Sequence, residues 1–464
     1  MTMLRLLSLC PLLLSASAFA APIEGRLELT WGDPDPVAGQ ESQFRVTLVD
    51  DAGLRYALDP QQARSGAGDI YALAGKRVAV ELAAPATTQG LAVQAIVPAD
   101  VQRDGNQPNV AGTTVWATLL CKFSDIATEQ KPLSFFNGQY GNNPGQLDHY
   151  WREVSYNKIN LVGSAAYGWF TLPQPRSFYV PSGGSANLNK LFDDCTAAAN
   201  ASVNFAANGG LQGVNMMFNG DLDGFAWGGG RCATLDGINK CWSSTWNPPW
   251  SFNNSAPLSH EMGHAYGLPH ANNSDGDTNP YDNPWDVMSD GWSNAATDAT
   301  YGTIAKHIST WSRDKLVFID AARKRIIDVD GVYSNLLLDR ASLIGSTNLQ
   351  MIVVRVAGAP TTRFYTIEAR KRGGKYEANL AGDAVIIHSV DTTRSEPAWS
   401  VDATNPPATT SNNEGSMFKV GESWTAPASG FTVSVDAATA EGFRISVTRG
   451  AGGNDTIFKA GFQP

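Results

Sequence analysis

The chain has 464 residues, enough for two or three domains with cores of their own. At 43% hydrophobic, 10% aromatic and 17% charged residues it is a folding composition, not a disordered one. The formal net charge is −10 and no stretch concentrates Lys and Arg, which excludes phosphate-driven nucleic-acid binding; the acidity is read as ordinary solubility.

In chain order, residues 1–20, "MTMLRLLSLCPLLLSASAFA", have one cation, Arg5, an apolar run from Leu6 to Leu14, and the small-x-small ending Ala18-Phe19-Ala20. This predicts a secretory signal peptide cleaved after Ala20; the run is too short to span a bilayer. Cys10 lies inside it, which argues against a lipid anchor. No later stretch is apolar and long enough for a span, so export to the extracellular space or periplasm is expected, without membrane insertion.

Residues 21–112 alternate short apolar runs with turn signals ("RLELTW", "SQFRVTLVDDAG", "RVAVELAAP", "LAVQAIVP") and end in a polar linker, "PADVQRDGNQPNVAGT". They predict a small β domain, either a propeptide or a permanent accessory domain. It has no cysteine, so no thiol there can cap a metal. Residues 113–318 mix strands and helices. "TTVWATLLCKF" and "LQGVNMMFNG" read as buried strands, and "FAWGGG" as a strand at a sheet edge. "GQLDHYWREVSY" sets Leu147, Tyr150, Trp151 and Val154 at helical spacing. "NLNKLFDDCTAAAN" and "GTIAKHISTWSRDKL" are further helix candidates. Residues 319–449 return to short strands with Gly, Pro and Asn turns, predicting a β-sandwich, and 450–464 form a tail. The fold class is α+β.

After the signal, four cysteines remain: Cys121, Cys195, Cys232 and Cys241. An even number in an exported chain predicts two disulfides. Cys232–Cys241 is attractive because it would staple a short Gly/Trp-rich loop, and Cys121–Cys195 would follow by elimination. No Cys-x-x-Cys spacing supports zinc binding by these residues.

Three of the chain's six histidines fall in "HEMGHAYGLPH", residues 260–270. His260 and His264, four apart, project from one helix face and can share an ion. Ser255 is a candidate N-cap, with Pro257 tolerated in the first turn. Glu261 lies beside the ligands without being one, placed to take a proton from water. Gly267 ends the helix, Pro269 stiffens the exit, and His270 can fold back as a third ligand. Without that break His270 would sit about 15 Å from His260 along a straight helix. Three protein ligands and an open fourth position form a catalytic zinc pattern.

This motif resembles that of the metzincin zinc endopeptidases at each defining position. The wider chain, over about 113–450, is similar to the gametolysin and immune-inhibitor-A-like secreted peptidases, through "TLLCKFSD", "YWREVSYNKINLVGSAAYGWFTLP", "GTIAKHISTWSRDKL" and "RFYTIEARKRGGKYEANLAGDAVIIHSVD". The resemblance implies a metzincin-like catalytic domain, a mixed twisted sheet with an active-site helix, flanked by the two β domains. It also implies a methionine turn under the zinc, matched here by Met288 in "NPWDVMSDG". Where some relatives have a tyrosine ligand two residues beyond that methionine, this chain has Asp290, so none is assigned. Substrate is implied to add as a strand to the edge strand carrying Ala226, Trp227 and Gly228, with the segment holding Trp292 walling the pocket beyond the cut bond. The implied activity is peptide-bond hydrolysis of extracellular proteins, with Zn2+ as cofactor, Glu261 as general base, and a monomeric enzyme. A zinc-containing secreted adhesin is the competing expectation. Asp275, Asp277 and Asp282 could bind Ca2+, although a solvated acidic loop is the plainer reading. His149, His307 and His388 are expected to be structural.

Overall fold

A computed structural model describes residues 21–83, 86–99, 110–404, 414–427 and 429–450. The predicted signal peptide, most of the predicted linker and nearly all of the predicted tail lie outside them. The fold is α+β and dominated by strands. Among the described residues no helix is long and apolar enough to cross a membrane.

A ten-stranded mixed sheet is the spine. Its path runs Arg55–Leu58, Gln43–Asp50, Ile23–Pro34, Phe225–Leu235, Ile238–Asn247, Gly213–Phe218, Trp116–Lys122 and Ala165–Thr171, with Arg77–Leu82 and Val93–Pro98 branching from the Ile23–Pro34 strand. The last four strands on the path are parallel to one another, and the other pairings are antiparallel. Parallel strands are covered on both faces, which is why Trp116–Lys122 and Gly213–Phe218 read as unbroken apolar runs. Their alternation sends Leu120 and Met217 into a core with the helices Leu133–Gln139, Leu147–Val154 and Ser255–Ala265. Leu119, Met216 and Phe218 enter an opposite core against helix Leu188–Ala199. The predicted quartet Leu147, Tyr150, Trp151 and Val154 is fully buried.

Two disulfides brace this sheet. Cys121–Cys195 ties a central strand to helix Leu188–Ala199, and Cys232–Cys241 crosses the hairpin formed by Phe225–Leu235 and Ile238–Asn247. With 74 and 9 residues between the partners, loop closure gives them about 4 and about 3 kcal/mol respectively.

The N-terminal strands keep a core of their own around Leu27, Leu29, Trp31, Val46, Leu48, Val78 and Val80. They nevertheless continue the spine. Residues 30–34 of the first strand pair antiparallel with the Phe225–Leu235 strand, in the register Thr30↔Gly229, Trp31↔Gly228, Gly32↔Trp227, Asp33↔Ala226 and Pro34↔Phe225. "FAWGGG" is therefore a strand, but it is not at an edge as the sequence predicts. Its free side is taken by a strand nearly two hundred residues earlier in the chain, a pairing no local pattern encodes.

Downstream, a six-stranded sheet (Ala271–Asn273, Ala398–Ser400, Ala384–Asp391, Arg363–Arg370, Met351–Arg355, Lys324–Ile327) faces a four-stranded one (Gly331–Asp339, Gly442–Arg449, Phe431–Ala438, Ser423–Thr425) across one core that includes Ile352, Ile367, Ile387, Val433 and Ile445. The short strand after His270 belongs to this sheet, through pairing of Ala271–Asn273 with Ala398–Ser400. Two local expectations change. "GTIAKHISTWSRDKL" is helical only over Thr310–Lys315, where Ser309 caps the start; Gly302–Ile304 is a strand, and the buried residues between are irregular. β-branched Thr303, Ile304 and Ile308 favour that extended course. Ser255 is the first helical residue rather than the cap. Asn254 occupies the cap position, and its side chain accepts from Thr303 N instead of the helix.

Candidate metal centre

The helix Ser255–Ala265 is buried along nearly its whole length, as a helix without a polar face must be. It ends at Tyr266, and Gly267 adopts φ +96°, the left-handed region where glycine avoids a Cβ penalty. Gly267 N donates to His264 O at 2.8 Å and Leu268 N to Gly263 O at 3.0 Å, so the exit bonds close the last turn as they bend the chain. The bend returns His270 to the helix face. Met288 lies directly beneath: a Cβ on Gly263 would fall 2.4 Å from its Sδ, so glycine is what lets the helix sit on the methionine turn. Ala271 N donates to Met288 O at 2.9 Å and joins the returning segment to that turn.

The ring orientations follow from two backbone carbonyls. His260 Nδ1 donates to Val287 O at 2.6 Å, and His264 Nδ1 donates to Leu268 O at 2.7 Å. With the proton on Nδ1, each Nε2 is an acceptor. His260 Nε2 lies 3.3 Å and His264 Nε2 3.1 Å from His270 Nε2. A tetrahedral ion with bonds of about 2.05 Å separates its donors by about 3.3 Å. Lone pairs converging at that spacing repel unless a cation lies among them. These residues therefore fit a metal ion, and their burial, at 6% exposure or less, keeps water from screening the repulsion. Burial also pushes His264 down to about 3, which keeps it in the neutral form a ligand requires.

A fourth donor comes from a place the sequence did not suggest. Asp33, near the end of the first strand, puts Oδ1 2.6 Å from His270 Nε2 and 3.3 Å from His260 Nε2, and Oδ2 3.3 Å from His264 Nε2. Asp33, His260, His264 and His270 form a group able to hold a metal. Tyr281 is a second unforeseen member. Its hydroxyl donates to Asp33 Oδ1 at 2.7 Å, and its ring packs edge-on against His270. The only trace of Asp33 in the sequence is "GDPDP", a carboxylate between Gly and Pro at a strand end, which reads equally as a turn.

Glu261 is 1% exposed, and its Oε2 has no hydrogen-bond partner among the described residues. Burial, with the charge of Asp33 beside it, holds this carboxyl well above the usual carboxylate range. A cleft of about 390 Å³ opens here, bordered by Asp33, His260, Glu261, Tyr281, Asp290 and Trp292. Trp292 lines this cleft. Ala226 and Trp227 do not line it: both are fully buried beneath the first strand.

Asp275, Asp277 and Asp282 also come together, in the loop between His270 and Met288. Asp282 is 3% exposed and its Oδ2 has no hydrogen-bond partner among the described residues. Its carboxyl is pushed up to about 8 by burial and by Asp275 and Asp277. Of the other histidines, His307 and His388 are buried, and the half-buried His149 bonds the buried Tyr376. No protein-family model matches the chain, and no curated protein matches it in sequence.

Proposed function

We propose that the protein is a secreted zinc endopeptidase of the metzincin type, of the kind the sequence resemblance to gametolysin-like and immune-inhibitor-A-like peptidases implies. The observation that carries this reading is Glu261: a buried carboxylate oxygen without a partner among the described residues, beside three converging imidazole nitrogens. A purely structural metal site has no use for such a group. Imidazole donors at tetrahedral spacing favour zinc among the common divalent ions. Zinc held by His260, His264 and His270 would supply Lewis acidity, lowering the pKa of water and polarising a carbonyl. Glu261 takes the proton of the attacking water at Oε2 and delivers it to the leaving amine. Tyr281, a neutral donor whose pKa is raised by burial, stands where it can bond a developing oxyanion. The acidic loop offers a second, oxygen-only position suited to Ca2+.

The test is hydrolysis of a broad peptide library by metal-replete protein, as secreted and after limited proteolysis, with Glu261→Gln alongside. Cleavage lost in Glu261→Gln with metal content unchanged is the expected result. If no metal-replete form cleaves any peptide, the peptidase reading fails and a zinc-containing binding protein takes its place.

A further inference from the structure

We propose that Asp275, Asp277 and Asp282 hold a calcium ion that clasps the loop between His270 and Met288, so that calcium and the metal of the three-histidine centre raise each other's affinity. This rests on the zinc reading of His260, His264 and His270, and goes beyond it by adding a second ion that governs how tightly the first is held.

Acidic residues in a loop do not by themselves make a site. What sets this group apart is Asp282. It is 3% exposed, and its Oδ2 has no hydrogen-bond partner among the described residues. One of its carboxylate oxygens lies within 4.8 Å of one from each of Asp275 and Asp277. The charges that act most on Asp282 are those two carboxylates, both of its own sign. Carboxylates at this spacing, one of them buried, repel unless a cation lies among them. Asp275 is half-buried and Asp277 exposed, so the group runs from the loop's surface inward and an ion can enter. An all-oxygen group in an irregular loop suits calcium, which takes about six to eight oxygens in flexible geometry; magnesium demands a near-ideal octahedron.

The place of Asp282 in the fold links this ion to the other centre. Its Oδ1 accepts from Asn273 N at 3.2 Å, on the short strand that leaves His270. The adjacent Tyr281 packs edge-on against His270, with ring centroids 5.4 Å apart. On the other side, Asn283 N donates to Ser289 Oγ at 3.0 Å, and Ser289 Oγ donates to Pro280 O at 2.6 Å. These bonds tie residues 280–283 to the residue that follows Met288. Asp282 therefore stands where the chain leaving the third histidine meets the methionine turn. An ion there draws in Asp275 and Asp277 and fixes both ends of the loop together. Without it, repulsion among three carboxylates acts on a segment that packs against a ligand ring and the turn beneath it. Filling one site thus favours the other, and linkage makes the effect mutual.

The experiment uses the full chain from residue 21, stripped of metal, as wild type, Asp275→Asn and Asp282→Asn. Calcium chloride is titrated calorimetrically into zinc-free and zinc-loaded protein, with magnesium chloride in a parallel run. Zinc affinity is measured against a zinc-selective chromogenic chelator, with and without calcium. Wild type should bind one calcium per chain, at least about 5-fold more tightly when zinc is loaded, and calcium should tighten zinc by the same factor. Magnesium should bind more weakly. Both variants should bind calcium about 10-fold more weakly or worse, because each loses a charged ligand, and at the calcium level that saturates wild type their zinc affinity should not respond. Asp275 is only half-buried, so its variant tests the site without disturbing the buried end. Calcium affinity that is equal with and without zinc, unchanged in both variants, or matched by magnesium overturns the proposal. Coupled binding with no cleavage by any form leaves the calcium clasp standing and removes the peptidase reading. Cleavage that is lost in Glu261→Gln, with the two ions uncoupled, does the reverse.

Discussion

Two buried histidine clusters lie on opposite sides of the methionine turn, and they are built on opposite principles. Around His260, His264 and His270 three imidazole nitrogens and the Asp33 carboxylate converge, with the Glu261 carboxyl beside them and no Lys or Arg ion pair among the described residues. Around His307 signs alternate. His307 lies between Glu153 at 3.2 Å and Glu377 at 3.3 Å; Arg370 bonds Glu377 and Glu368, and also the carbonyl of Trp285 in the loop leading to Met288. Burial alone would lower His307, but Glu377 and Glu153 outweigh it and raise it, whereas His264 is driven down to about 3. One cluster pairs opposite charges within the protein; the other gathers donors that could hold an ion. Both clusters are buried, so what separates a candidate metal group from a structural ion network is the sign of the partners.

The contrast can be tested from either side. The largest expected effect is catalytic: Glu261→Gln should lower kcat by about 10²–10⁴-fold with metal stoichiometry unchanged, because it removes proton transfer and no ligand. Metal loss in that variant would make Glu261 part of the binding set. On the other side, Arg370→Ala removes the cation bonded to two buried carboxylates and should cost about 3–5 kcal/mol in denaturant unfolding. Glu368 and Glu377 are both fully buried, so a loss below about 1 kcal/mol would show that water reaches the cluster.

Chelation should separate the clusters directly. Removing a metal present at one hundred times its Kd withdraws about 2.7 kcal/mol of stability, restored by added zinc, and the Arg370 variant should show the same increment. The pH response belongs to the ion network. A His307 raised in the folded state stabilises fully below its unfolded value, about 6.5, and this contribution is lost as pH rises through the folded value. Stability should therefore decline with pH above neutrality in wild type, and this component of the slope should be absent in His307→Gln. The smallest effect is at the acidic loop. Calcium at ten times its Kd should add about 1.4 kcal/mol, and nothing in Asp282→Asn; an equal gain in both would place the ion elsewhere.

Much of the site was legible because its information is local. The helical period over His260–His264 puts two candidate ligands and the adjacent Glu261 on the buried helix. Gly267 must take a positive φ to end the helix, and His270 can return only because of that bend. The buried strands Trp116–Lys122 and Gly213–Phe218 were legible for the same reason, since burial on both faces leaves an unbroken apolar run. The alternating strands of the two β regions also announced themselves. The helix expected over residues 302–316 was overstated because its apolar spacing suits an irregular buried segment equally well.

By itself, then, the sequence determined the three-histidine motif with Glu261 inside it, the bend and the strand-rich α+β character. Each depends on residues within a few turns or strand steps of one another. Tertiary structure alone decided what stands fourth at the metal centre and what lies against the Phe225–Leu235 strand. Asp33 is 237 residues from His270, and the pairing that delivers it depends on backbone hydrogen bonds that any sequence can make. A backbone edge carries no side-chain code, so only the assembled sheet shows which strand fills it.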